Sequence, residues 1–282
     1  MTHDKIKKIF LIALIAAFAV PSVSYSYASE LSSATQSLSA STNQLIEAKD
    51  SAAAGALSEE EDIAYRKEVV SDALSLSFKE IESAREKLNS YEFEEESDFG
   101  KIKKSVLEWL NEQEKWFRDA ESKISAEKLG LEEVKDIAKE IKARRDESYN
   151  AGLANALNFI LAIETQKLTN TAGDRWNKIS SDLGKIEKAG LIKEGLFSAK
   201  MAEAKKMIDG ARALVERSLS VTRDIYLPAE EKSEPVSDEA AVTAEEIPSA
   251  RDLCEAAIVN LKSGYGEFVG ISASIKKLLK LP

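Results

Sequence analysis

Ser148–Ile163 reads SYNAGLANALNFILAI, sixteen residues without a charge in a chain of which 31 % of residues are charged. Wound at 3.6 residues per turn, Leu153, Leu157, Phe159, Ile160, Leu161 and Ile163 put apolar side chains on every side. A helix apolar all round has to be covered by other elements. The run is short of the roughly 20 apolar residues that a bilayer span needs, so it predicts a buried core helix. Ala151, Gly152, Ala154 and Ala156 leave room for neighbouring backbones to approach. Arg144 and Arg145, just before the stretch, read as solvated flank.

The sequence around this helix is helical in the same sense. Apolar residues make up 44 % of the 282, enough to bury a core. No proline occurs between Pro21 and Pro228, and Asp209-Gly210, the one hairpin-like pair, lies inside a helical repeat. Ala, Glu, Lys, Leu and Ser dominate. The class is all-α, and the heptads described next predict an elongated helical bundle with coiled-coil-like packing.

Met1–Ala28 has the parts of a secretory signal: Lys5, Lys7 and Lys8, the apolar run Ile9–Val20, Pro21, then small residues at Ser26 and Ala28. Cleavage is expected between Ala28 and Ser29, an uncleaved N-terminal anchor being the alternative. Residues 29–57 are rich in Ser, Thr and Ala. A glycosylated stalk would use the hydroxyls; a weak amphipathic helix ending near Gly55 would use Leu31, Leu38 and Leu45, and the helix is favoured.

Residues 58–227 read as the main helical bundle. Ser58 and Glu61 form a capping box. The helix it opens runs to about Tyr91 with Leu74, Ile81 and Leu88 in one column and Ile63, Val70, Ser77 and Ala84 in the next. Glu92–Asp98 is an acidic loop, and Ser97 or Asp98 caps a helix from Phe99 to about Ser125. Trp109 and Trp116 lie seven apart on that helix and read as core before they read as a sugar or peptide platform. Leu131 starts the central helix, expected to stop near Leu168; another is expected over Asp174–Lys188, ending at Gly190. Phe197, Met201, Ala204, Ile208, Ala211, Val215, Ser218, Thr222 and Ile225 then alternate by four and three. A faint echo at a spacing of 67 residues pairs Trp109 with Trp176, Val134 with Met201 and Ile141 with Ile208. Residues 228–248 are an acidic, proline-bounded linker, and 249–282 a C-terminal helical segment broken at Gly264-Tyr265-Gly266.

Several chemistries lack their parts. The one histidine, His3, lies in the targeting segment, which leaves the expected mature chain without Ser-His or Cys-His nucleophiles and without histidine-ligated metal sites. Cys254 is the single cysteine, cannot pair internally, and reads as a packing residue. There is no phosphate-binding Gly-x-x-x-x-Gly-Lys loop, acidic calcium loop or Cys-x-x-Cys pair. Glu59–Asp62 and Glu92–Asp98 read as solvated acidic runs. No cofactor, metal or catalytic residue is assigned.

Formal charge is −10, or −12 without residues 1–28, which argues against nucleic acid or an anionic membrane as the dominant partner. The local exception is the C-terminal run, where Ile271, Ile275, Lys276, Lys277, Leu278, Leu279 and Lys280 resemble an interfacial amphipathic helix as well as a docked terminal one; docking is favoured. The expectation is an exported, non-enzymatic binding or scaffolding protein, meeting protein partners or itself through helical faces. The alternatives are a membrane-surface protein acting through its C-terminal helix and a carboxylate-dependent envelope hydrolase.

Overall fold

The computed structural model describes residues 25–52, 58–227 and 248–279, and every regular element among them is helical. The helices are α1 (Tyr25–Ala52), α2 (Glu59–Asn89), α3 (Asp98–Ile124), α4 (Leu131–Arg144), a π-helical turn (Arg145–Tyr149), α5 (Asn150–Lys188), α6 (Ser198–Tyr226) and α7 (Ala250–Leu278). They fall into two compact units that divide between Leu157 and Asn158. That division lies within α5, inside the 58–227 stretch that the sequence reads as one domain. The apolar run of the signal, His3 and the 228–247 part of the acidic linker lie outside the described residues. Ala28 and Ser29 fall within α1.

In the first unit α2 packs against α1, α3 and α4, and α3 against α4. The stripe α2 buries is Val70, Leu74, Ser77, Ile81, Ala84 and Leu88, the two heptad columns of the sequence apart from Ile63, which is half-buried. Ser58 accepts from the Glu61 amide at 3.2 Å while the Glu61 carboxylate takes the Ser58 N–H at 3.0 Å, so the capping box forms. Ser97 caps α3 by accepting from the Gly100 N–H at 3.1 Å. The 29–57 segment is helical over its described part, with Ser41 buried and Leu38 and Leu45 half-buried.

In the second unit α6 and α7 pack along their length. Met201, Ala204, Ile208, Ala211, Val215, Ser218 and Thr222 are all buried, as their spacing requires; Ile225 ends the repeat 49 % exposed. Ser218 reaches across to accompany α7, donating to the Ala250 carbonyl at 2.8 Å and lying 3.2 Å from the Cys254 sulfur. The later part of α5 joins them: the Trp176 indole N–H donates to the Met201 carbonyl at 2.9 Å and Arg175 to the Tyr265 hydroxyl at 3.1 Å.

Four sequence expectations need correction. The charge-free stretch is not covered on all sides: Tyr149, Leu153, Ala156, Phe159, Ile160, Ala162 and Ile163 are buried, whereas Leu157 is 47 % exposed and Ala151 and Ala154 face solvent. Absence of charge is a permissive condition for burial, and the positions recurring by four and three took it. No break separates Leu168 from Asp174: Thr165, Thr169 and Ala172 pack into the core, and the threonines here turn their hydroxyls back into the helix. Thr165 donates to the Leu161 carbonyl at 2.7 Å, Thr169 to Thr165 at 2.8 Å and Thr171 to Lys167 at 2.9 Å. Bonded so, they no longer compete with the helical ladder. α7 likewise passes unbroken through Gly264-Tyr265-Gly266. Gly264 is a contact window: a Cβ there would meet the Ala204 carbonyl at 3.4 Å and Met207 at 3.5 Å. Fourth, Arg144 and Arg145 are half-buried and hydrogen-bonded to other helices, not solvated flank.

Cys254 is wholly buried, and burial pushes its thiol up from the usual range against the pull of the Ser218 and Thr165 hydroxyls. A buried, protonated thiol is unreactive. Native protein is therefore expected to leave Cys254 unmodified by a thiol reagent over minutes, with stoichiometric reaction after addition of denaturant. Fast labelling of the native chain would show that the α6–α7 contact opens readily.

Candidate functional site

A largely buried group of polar side chains in the first unit sits beneath the π turn. Val134 and Ile141 are buried seven apart on α4, and their column continues at the buried Tyr149 and Ala156, with Leu153 buried between these two. The spacing is seven, then eight, then seven. One inserted residue accounts for the eight, and the Asn150 N–H accordingly bonds the Arg145 carbonyl, five residues back. The extra residue swings Arg145 and Tyr149 inward together, since they stand four apart on one face.

Both reach the middle of α2. Arg145 donates to the Ser77 hydroxyl and, from its other terminal nitrogen, to Glu80 Oε2 at 3.2 Å. The Tyr149 hydroxyl lies 3.1 Å from the same Glu80 oxygen and 3.2 Å from the Ser77 carbonyl. Ser77 passes its own proton to the Ala73 carbonyl at 3.0 Å. Tyr149 and Ser77 are fully buried, and the Arg145 and Glu80 side chains are each 19 % exposed. Burial first, then the Glu80 carboxylate, pushes the Tyr149 phenol far above its ordinary value. It stays a hydrogen-bond donor at any physiological pH.

Aromatic rings close the cluster. The Trp109 ring stacks on Tyr149 with centroids 5.9 Å apart and planes 19° off parallel, and Phe117 meets Tyr149 edge-on at 5.0 Å. Trp109 can lie there only because residue 152 is glycine: a Cβ would stand 2.2 Å from Trp109 Cζ2. The small residues of the charge-free stretch were read as room for a backbone, and at Gly152 the room is filled by an indole. Arg144 turns the other way, donating to the buried Gln113 carbonyl oxygen at 3.1 Å and lying over the Trp116 ring at 5.6 Å. Neither arginine is the solvated flank expected from sequence. Trp109 and Trp116 are half-buried in these contacts and offer no open aromatic platform.

The chemistry of this cluster is mutual satisfaction. Glu80 is held between a guanidinium and a phenol, and the phenol has no route to a free proton acceptor within the cluster. Its physical effect is to register the π turn on α2. Sequence reasoning missed Glu80, Gln113, Arg145 and Tyr149 as a group; the available signals were a polar Ser77 in a core column and the break of the heptad phase between Ile141 and Tyr149.

The residues the sequence proposed for surface contact are divided by the fold. Ile271 and Ile275 are 2 % and 3 % exposed, facing the interior of the second unit. Lys276 and Leu279 are half-buried, Lys277 is exposed and Leu278 is 53 % exposed. Lys280 lies outside the described residues. Among the described residues no three His, Cys, Asp or Glu are gathered as a metal would require, and no helix is long and apolar enough to cross a membrane. No protein-family model, curated protein or solved structure matches the chain.

Two glycines of α5 separate space from helix propensity. Gly184 has nothing within 4 Å of where a Cβ would be, so Gly184→Ala is expected to gain up to about 1 kcal/mol. Gly152→Ala carries the same propensity gain and must displace Trp109, for a net loss of about 1–3 kcal/mol. Urea unfolding of the two variants checks the sign of each.

A folded-state pKa above the unfolded one means that the native protein holds its proton while the unfolded chain begins to lose it. The stability owed to the Tyr149 phenol is thus complete below the ordinary tyrosine value of 10.0 and declines as pH rises past it. Tyr149→Phe is expected to cost about 1–3 kcal/mol at neutral pH and to flatten the loss of stability above about pH 10. Denaturant titrations of parent and variant across that range, compared as a difference, provide the measurement.

Proposed function

We propose that this chain is an exported, non-enzymatic helical protein that binds or scaffolds in the cell envelope or outside the cell, through protein partners or further copies of itself at its helical faces. The observation that carries this reading is the closed polar cluster under the π turn: its acid, its phenol and its guanidinium are committed to one another. Such a cluster serves shape. Support for export is the Lys5–Lys8, Ile9–Val20, Ser26-x-Ala28 pattern. Support for coiled-coil-like interlock is the burial of four-three stripes on α2 and α6.

A second reading, a membrane-surface protein working through its C-terminal amphipathic helix, draws on Lys276, Lys277 and Leu278. Presenting Ile271 and Ile275 to lipid would require α7 to leave α6. A carboxylate-dependent hydrolase would require two carboxylates side by side, and Glu80 is instead held by Arg145 and Tyr149.

Material recovered from outside the cytoplasm of its native cells is expected to begin at Ser29 on N-terminal sequencing, and affinity capture from envelope fractions is expected to return a defined protein or a second copy. Recovery only as intact chain inside the cytoplasm would overturn the export half of the reading. A hydrolytic activity abolished by Glu80→Gln in a still-folded protein would overturn the other half.

A further inference from the structure

The acidic balance of the chain is not spread evenly. The described residues of the first unit hold 29 Asp and Glu against 18 Lys and Arg, net −11; those of the second hold 12 against 16, net +4. With the seven acids of the 228–248 linker included, residues 158–282 hold 19 Asp and Glu against 18 Lys and Arg, so the second unit is near neutral where the first is acidic, and its basic character is local.

One end of the second unit carries both lysines and exposed apolar groups. α6 and α7 run antiparallel: Ser218 meets Ala250, Gly264 lies against Ala204, and Lys200 pairs with Glu267 at 3.7 Å beside Gly270. The last turns of α7 therefore continue past the start of α6, at the end of the unit from which the 189–197 loop enters α6. That loop is built rather than slack. Gly190, at φ 67°, closes α5 with the Leu191 N–H on the Ile186 carbonyl at 3.1 Å, and the Gly195 N–H, at φ 71°, is held by the Glu187 carboxylate at 3.0 Å. Ile192 and Phe197 fold under it, leaving Leu196 46 % exposed; Leu278 on α7 is 53 % exposed. Lys188, Lys193, Lys276 and Lys277 stand on the same two segments with no ion-pair partner among the described residues, and Glu194 is the exposed carboxylate beside Lys193.

Lysines in a last helical turn offset the negative end of the helix dipole, which accounts for Lys188, Lys276 and Lys277. It does not account for Lys193 in the loop, nor for two leucines held outward by a fixed backbone. Exposed leucines with flexible lysines on the same segments match the boundary of an anionic bilayer, where the apolar groups enter the headgroup layer and the ammonium groups stay among the phosphates. Neither arginine nor an aromatic ring is present in the group, as stacking on nucleic-acid bases would ask.

We propose that this end of the second unit, Leu196 and Leu278 with Lys188, Lys193, Lys276 and Lys277, docks on an anionic lipid surface. The contact is end-on and leaves α7 packed on α6 with Ile271 and Ile275 buried. It does not depend on the export reading above: the vesicle assay is indifferent to where the chain is made or cut.

The test is co-sedimentation of the full chain with vesicles of phosphatidylcholine alone or with about one third phosphatidylglycerol. Each lysine at such a surface contributes a factor of about five. K188Q/K193Q/K276Q/K277Q is therefore expected to weaken partition to the anionic vesicles at least about tenfold. L196S/L278S, at unchanged charge, is expected to weaken it severalfold. K104Q/K115Q/K128Q/K139Q, which removes as many lysines from the first unit, should bind as the parent does. All variants keep residues 1–28, so any contribution of that segment is common to them, and unchanged melting curves verify folding. Equal binding by the parent and the four-lysine second-unit variant would overturn the proposal. So would leucine substitutions without effect combined with competition by a short oligonucleotide, which would assign the lysines to polyanions in general.

Discussion

A guanidinium and a phenol can be taken into the same helical interior only if an acceptor is at hand, and a shared acceptor can hold the two together. In the first unit that acceptor is Glu80, and the arrangement rests on the π turn that brings Arg145 and Tyr149 to it. Removing one partner from a cluster of this kind leaves a charge or a hydroxyl unsatisfied in a poorly hydrated place, at a cost well above the net worth of the bond itself. The stacked indole of Trp109, the edge of Phe117 and the bare backbone at Gly152 are consequences of that placement, each fitted to the position of the Tyr149 ring.

Much of the helical pattern was legible because burial at a period of seven leaves a mark that no alternative structure shares. The columns of α2 and α6 were readable residue by residue, down to polar Ser77 and Ser218 inside them. Helix starts at Ser58, Ser97 and Ser249 were readable because capping is local chemistry: a side-chain oxygen and an orphan amide a few residues apart. The places where the reading failed are places where the outcome depends on a distant neighbour. Threonines and glycine at 169–173 have modest intrinsic preference for helix, and packing of Thr165, Thr169 and Ala172 into a core decided the matter. Gly264 looks like a hinge until Ala204 and Met207 stand against it.

The polar cluster was the least legible part. Arg144 and Arg145 are adjacent and chemically alike, and in an isolated helix both would point into water. The inserted residue separates their fates, one bonded to α3 and the other to α2. Its trace in the sequence is a single eight among sevens, visible only once Ile141 and Tyr149 are both known to be buried. The uneven charge, by contrast, was present in the sequence throughout. What it lacked was a boundary at Leu157 across which to compare the halves.

The pairing of α6 with α7 also sets a timetable. α6 opens on Phe197 without a side-chain cap, and its buried stripe from Met201 to Thr222 lies where Cys254, Gly264 and their neighbours on α7 meet it. On the ribosome, α6 is finished about fifty residues before the end of α7 has been joined, an interval of about 3–10 s at ordinary rates of synthesis. For those seconds Met201, Ile208, Val215 and Leu219 form an apolar stripe that α7 has yet to cover.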